Sequence, residues 1–326
     1  MDVSILILDG TLALPSVAAL ELMLKTSALH QQLHGATAKA FCPKLVALHP
    51  GQVVTMGGLE LGCGRSIDEV ERTDLVLIPA LADDIEADLQ RHERALPWLR
   101  AMYGGGADVA SMCTGAFLLA ESGLLEGRRA TTHWIAQDLF RQRFPAVELL
   151  PQRIVVDEGR LLTSGGATSF LNLLMYLAEK HLGAETARLA GRMLLIDRDK
   201  PAQHSFAIFS PQRRHGDRDV LRAQDLIEGA VGRALSVAEV ALEVGLSRRN
   251  FVRRFKAATG NTPLEYIQRS RVEAAKRLLE TSSASWAEIV CEVGYEDAAS
   301  FRRVFAKHVG ISPMAYRRRY QVAPAA

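Results

Sequence analysis

The sequence lacks what would mark a membrane, disulfide-stapled or metal-organised protein. Its apolar runs, such as Ile5-Leu-Ile-Leu8, stop at a charge or a glycine, well short of the roughly 20 residues that a bilayer span needs, so no transmembrane helix is expected. Four cysteines, Cys42, Cys63, Cys113 and Cys291, stand far apart, with no C-x-x-C pair and no Cys/His cluster at zinc spacing. That spacing argues against a disulfide framework and against a structural metal. No cationic stretch precedes an apolar core: the chain opens with Asp2 and breaks at Asp9-Gly10, so no secretory signal is expected and the cytoplasm is the expected location. An excess of one charge is also missing, since 39 basic and 37 acidic side chains leave a net +2.

What is present is an ordinary globular composition, 48% hydrophobic and 23% charged over 326 residues, a length that favours two domains. The small net charge hides an asymmetry. From Asp217 onward there are 18 Lys/Arg against 13 Asp/Glu, a net +5, whereas the rest of the chain carries a net −3. Arginines in the basic third come in groups: Arg248-Arg249, Arg253-Arg254, Arg302-Arg303 and Arg317 to Arg319. The guanidinium fork fits phosphate and guanine, although a solvated helix face would look the same.

Residues 1–196 alternate apolar runs with amphipathic stretches, which predicts an α/β doubly wound domain with a mostly parallel sheet. Strands are predicted near 4–8, 44–48, 75–79, 109–112 and 160–163, and helices near 17–26, 85–103, 116–123 and 169–181. Residues 197–217 show no period and carry two prolines, as a linker does. From 218 to 326 the pattern is all-α, punctuated by Gly245, Gly260, Gly294 and Gly310 at expected helix ends.

The helical part contains a degenerate repeat. Ser236-Val-Ala-Glu-Val-Ala-Leu-Glu-Val-Gly-Leu-Ser, followed by Asn250-Phe-Val-Arg-Arg-Phe-Lys, is echoed by Ser285-Trp-Ala-Glu-Ile-Val-Cys-Glu-Val-Gly-Tyr-Glu and Ser300-Phe-Arg-Arg-Val-Phe-Ala-Lys. Each copy reads as a short helix, a glycine turn and a second helix with a capping residue, Ser247 or Asp297, which is the layout of a helix-turn-helix. Phe251 and Phe255, like Phe301 and Phe305, fall on one helical face and are expected in the core. The same period turns Arg249, Arg253, Ser300, Arg302 and Arg303 away from them. With Gly260-Asn-Thr-Pro263, Tyr266, Arg271, Ala274-Ala275, Leu278-Leu279, Gly310-Ile-Ser-Pro313 and Tyr316-Arg317, residues 218–320 resemble the AraC-type DNA-binding domain. That resemblance implies two second helices entering the major groove about one turn of DNA (roughly 34 Å) apart. It assigns DNA contact to Arg248, Arg249, Val252 and Arg253 in the first unit, and to Ala299, Ser300, Arg302 and Arg303 in the second.

In the first domain, Val109-Ala-Ser-Met-Cys-Thr-Gly-Ala-Phe-Leu-Leu-Ala places Cys113 at a turn from strand to helix. Such an elbow exposes a thiol beside a helix N-terminus that lowers its pKa. His133, in Ala130-Thr-Thr-His-Trp134, is either an imidazole partner for that thiol or a packed core histidine. The stretch from Cys113 to Trp134 resembles the ThiJ/PfpI-like, class I glutamine amidotransferase-like domain, a flavodoxin-like and often dimeric fold. Fused to the AraC-type tail, it makes the chain similar to GlxA-type transcriptional regulators. Several positions depart from the enzymatic pattern. Pro15 stands where active relatives place a carboxylate, Ile135 where amidotransferases place a glutamate, and Ala80-Leu81 follow Pro79 in place of a Gly-Gly oxyanion turn. Without an acid to orient the base, catalysis is not expected.

The resemblance therefore implies a DNA-binding regulator, most often an activator, working with RNA polymerase on double-stranded promoter DNA as a homodimer. A small effector, an amino acid or an amine, would bind by Pro15, Ala80, Cys113, Thr114 and His133. No cofactor and no metal are expected. Two alternatives remain: a hydrolase, hydratase or amidase with Cys113 and His133 as vestigial or working catalytic groups, and a redox switch at Cys113.

Overall fold

The structure is a computed structural model that describes residues 1–197, 203, 206–209, 211–213 and 215–321. The chain divides into two compact units, Met1–Gln203 and His204–Ala326. The first unit therefore runs past the boundary expected at 196 and ends within the expected linker, of which residues 198–202, 204, 205, 210 and 214 lie outside the described residues.

The first unit orders its elements as β1 (Asp2–Leu6), α1 (Ala13–His34), β2 (Cys42–Val46), β3 (Gly51–Val54), β4 (Glu60–Cys63), β5 (Leu75–Ile78), α2 (Ile85–Arg91), α3 (Ala95–Gly104), β6 (Asp108–Ser111), α4 (Ala116–Glu121), β7 (Arg129–Ala130), α5 (Gln137–Arg143), β8 (Glu148–Leu149), β9 (Val155–Asp157), β10 (Leu161–Ser164), α6 (Ser169–Leu182) and α7 (Ala184–Met193). The main sheet runs β2-β1-β5-β6-β10-β9, parallel except for the β9 edge. Strands buried on both faces read as continuous apolar runs, and all four residues of β5 are buried. One apolar cluster, with Leu99, Phe117 and Phe140, covers one face, and another, with Met23, Leu173 and Leu177, covers the other. The expected doubly wound architecture is what the structure holds.

All five expected strands form the parallel part, with β1 and β2 beginning two residues early. The stretch expected as one helix over 85–103 is two. Pro97 has no N–H to donate and is tolerated only in a first helical turn, so the chain restarts at Ala95, three residues after His92 closes α2 with its ring on the Asp9 carbonyl, 2.9 Å away. The hairpin β3-β4 and the antiparallel edge β9 carried no sequence expectation.

The second unit comprises α8 (Arg218–Gly229), α9 (Val237–Glu243), α10 (Arg248–Thr259), α11 (Pro263–Thr281), α12 (Trp286–Glu292), α13 (Ala298–Val309) and α14 (Pro313–Tyr320). Its helix starts are written in the sequence. Ser236 with Glu239, Thr262 with Glu265 and Ser285 with Glu288 form capping boxes, each satisfying two orphan backbone donors. The chain enters α10 and α13 through Gly245 and Gly294, at φ +73° and +77°, a left-handed bend that costs glycine least. Two apolar cores result, one around Phe251, Phe255 and Tyr266, the other around Phe301, Phe305 and Tyr316, and α11 contributes to both.

Candidate nucleic-acid interface and elbow site

The elbow forms where β6 ends. Cys113 sits at φ +56°, a left-handed conformation that a residue with a Cβ occupies only when its surroundings impose it. They do so at several points. The turn after it packs so closely on β5 that a Cβ on Gly115 would stand 2.2 Å from the Pro79 carbonyl oxygen. The Thr114 hydroxyl donates to the Leu81 carbonyl at 2.7 Å, and the Thr132 hydroxyl to the Cys113 carbonyl at 3.1 Å. Ala80 lies just beyond β5, buried, its carbonyl accepting from Leu12 N–H at 3.2 Å, and Pro15 is buried in the first turn of α1. Pro15, Ala80, Cys113 and Thr114 thus gather at the carboxyl ends of β1, β5 and β6, the edge at which open α/β sheets bind ligands.

The chemistry of the thiol differs from the sequence expectation. Cys113 is buried, and burial raises its pKa above the ordinary value; backbone N–H groups of Ala167 and Thr114 and the Thr114 hydroxyl offset this only in part. Desolvation disfavours the thiolate more than an elbow favours it. His133 does not compensate. Its Nδ1 accepts from Ile135 N–H at 3.1 Å, capping the short turn Trp134–Ala136, and its ring lies against Gly166, where a Cβ would come within 2.3 Å of Cδ2. Burial holds the imidazole below its usual pKa. With Nδ1 engaged, the neutral ring carries its proton on Nε2, and among the described residues no hydrogen bond joins His133 to Cys113. At neutral pH, iodoacetamide is expected to modify Cys113 more slowly than the exposed Cys42 and Cys291, because the thiolate is the nucleophile and burial both shields the Cys113 thiol and raises its pKa. Peptide mapping across a pH series reads this directly, and fast labelling of Cys113 at pH 7 would overturn it.

Several residues at this edge went unnoticed in the sequence. Asp88 is buried and accepts from Ala82 N–H at 2.9 Å and Arg91 at 3.0 Å. Ala167, at φ +46°, supplies the N–H facing the thiol. Gln203 is buried among polar atoms of the 131–132, 151–153 and 165–166 segments. The tight pair Gly165-Gly166 was the signal available, since glycines without positive φ mark close approach.

In the second unit α10 and α13 are built alike. Each spans 12 residues, opens on a side-chain cap and closes on a left-handed glycine, Gly260 or Gly310. Ser247 accepts from Asn250 N–H at 3.4 Å, and Asp297 from the N–H groups of Ala299 and Ser300 at 3.0 and 3.1 Å. Phe251, Phe255, Phe301 and Phe305 are fully buried, which turns the opposite faces outward. Arg248, Arg249, Arg253, Ala299, Arg302 and Arg303 are exposed, with Val252 and Ser300 half-buried. None of these arginines forms an ion pair among the described residues. Arg254 contrasts with them: it bridges Asp217 at 2.6 Å and Asp219 at 2.9 Å, and holds the Asp217 carboxyl below its usual range. It braces α10 against α8 while its neighbour Arg253 faces solvent. A protein surface of unpaired arginines on a capped helix can meet phosphate and base edges together.

Comparison with known proteins gives the same division. Residues 11–180 match the DJ-1/PfpI family and residues 240–319 a helix-turn-helix domain. The HTH-type transcriptional regulator Rv1931c of Mycobacterium tuberculosis is 31% identical over 76% of this chain and 95% of its own length. The HTH-type transcriptional regulator GlxA of Rhizobium meliloti is 29% identical over 85% of each chain. Among solved structures, an AraC family transcriptional regulator from Pseudomonas putida superposes with a TM-score of 0.50 at 18% identity, covering 59% of this chain and 98% of that one.

Proposed function

The chain belongs to the DJ-1/PfpI family, with a helix-turn-helix domain at residues 240–319, and from that premise we propose that it is a transcriptional regulator whose α/β unit senses a small molecule. The observation that carries the reading is the pair of matched helices, α10 and α13, whose outward arginines form no ion pair among the described residues. Arg248, Arg249, Val252 and Arg253 face the first stretch of major groove. Ala299, Ser300, Arg302 and Arg303 face the next, where the small side chains reach fewer base edges and leave more of the contact to phosphate.

The α/β unit acts by binding rather than by turnover. Its effector, a small nitrogen compound, lies by Pro15, Ala80, Cys113, Thr114 and His133. A protonated, buried thiol with no imidazole hydrogen-bonded to it among the described residues holds a ligand but does not attack one. The regulator works as a homodimer, with RNA polymerase as its partner at promoters. An effector that prefers one arrangement of the dimer shifts the population of DNA-competent states in proportion to its differential affinity. DNA selection followed by footprinting at fixed salt tests the reading. A protected site with two elements about one helical turn apart is expected for each copy of the chain; binding with no sequence preference would overturn it.

A further inference from the structure

Gln203, the last residue of the first unit, is only 3% exposed, although the sequence around it looks like a linker. Its carboxamide fills a slot with polar atoms facing both its nitrogen and its oxygen. Nε2 lies 3.2 Å from Thr131 Oγ1, 3.1 Å from each of the Thr132 and Pro151 carbonyl oxygens, and 2.9 Å from the Arg153 carbonyl oxygen. Oε1 accepts from Gly166 N–H at 2.8 Å, and the Gln203 backbone N–H donates to the Gln152 carbonyl at 3.0 Å. Gly165 has no side chain where one would collide: a Cβ there would stand 2.2 Å from both Cδ and Nε2 of Gln203. The slot is therefore shaped for an amide group down to the choice of glycine in its floor.

The slot also adjoins the elbow through consecutive residues. Gly166, which holds Oε1, packs on the His133 ring, and the next residue, Ala167, turns its N–H to the Cys113 sulfur. Thr132, whose carbonyl faces Nε2, donates its hydroxyl to the Cys113 carbonyl.

We propose that this slot is a receptor for a primary carboxamide, filled here by the chain's own Gln203, and that an effector bearing a –CONH2 group displaces that side chain. Chemistry selects the class. Four oxygens require an N–H donor and Gly166 N–H requires an acceptor. A carboxylate would set its charge against the four oxygens. A quaternary ammonium has no proton to give, and a primary ammonium or amidinium would leave Gly166 without an acceptor, a costly orphan in a buried site. The tethered Gln203 competes at an effective concentration on the order of millimolar, so a displacing effector draws further affinity from the neighbouring elbow residues. This inference rests on the reading of the α/β unit as a sensor, and its test needs no DNA, so its failure is distinct from a failed footprint.

The test is amide hydrogen exchange at Gly166 in the full-length chain. Gln203→Ala removes the acceptor and is expected to speed that exchange about tenfold. Propionamide should restore protection in the variant in a saturable way, whereas propylammonium and tetramethylammonium should not. Gln203→Met, similar in length but with neither the carbonyl acceptor nor the N–H donors, is the second variant and should behave alike, which covers the case in which the alanine variant folds poorly. Unchanged exchange in both variants would overturn the role of Gln203. Faster exchange that propionamide fails to slow, or that propylammonium slows equally, would overturn the carboxamide site.

Discussion

Replacing Phe255 by Ala is expected to remove about 3–5 kcal/mol from the stability of the helical unit, the usual cost of deleting a buried aromatic and leaving a cavity. The ring is fully buried, edge-on to Phe251 at 5.3 Å and to Tyr266 at 5.2 Å between centroids. Its neighbours cannot collapse into the void freely. Tyr266 is pinned by its hydroxyl, which donates to Glu228 at 2.6 Å and accepts from Gln224 at 3.0 Å, and the same burial and carboxylate push the phenol pKa far above its usual value. For a domain of this size each kcal/mol lowers Tm by about 4–8 °C. Because the two units have separate apolar cores, calorimetry should show the helical transition fall while the α/β transition stays in place. Specific DNA binding is expected to vanish near the lowered Tm, since α10 is held to its unit through this ring. A variant in which both transitions moved together would contradict separate cores. Phe305→Ala supplies the matched comparison, acting through Trp286 and Tyr316 in the second core.

How much of this could be read beforehand depends on whether the cause is local in sequence. The parallel strands were legible because a strand buried on both faces must be an unbroken apolar run, as at Leu75–Ile78. Helices α10 and α13 were legible because caps, glycine turns and the four-residue spacing of Phe251 and Phe255 lie within one stretch of chain. Hairpin β3-β4 was not, since Gly51–Val54 and Glu60–Cys63 are short and mostly exposed, and exposed strands lose the apolar signal.

The site divides in the same way. The Cys113 elbow was visible, but the direction of its pKa was not, because burial is set by segments as distant as Ala167 and Thr132. Gln203 sits in a stretch of polar residues and prolines with no period, and its place emerges only when Gly165-Gly166 is brought beneath it. Arg253 and Arg254 are adjacent and alike in sequence, yet Asp217 and Asp219, far upstream, claim one and leave the other. Pairing between distant charges has no local signature.

That contrast sets up the largest expected effect on function. Arg253→Ala should weaken specific DNA binding by about 1–3 kcal/mol if the guanidinium reads a base, or roughly 5- to 160-fold in Kd. The side chain is exposed, unpaired by any acid among the described residues, and steadied by a 2.9 Å bond from Nη2 to the Asn250 amide oxygen one turn earlier. That bond leaves its remaining donors for the groove. If it reads a base, discrimination at one position of the site should relax while nonspecific affinity changes little. If it meets a phosphate, affinity should fall evenly across sequences and the slope of log K against log salt should shrink by about one. Arg254→Ala should separate readout from scaffolding: it breaks the bridges to Asp217 and Asp219 and should lower Tm with no change in salt slope at matched folded fraction. Binding by Arg253→Ala that matched wild type on every sequence and at every salt would place α10 outside the groove, and with it the assignment of Arg249 and Val252.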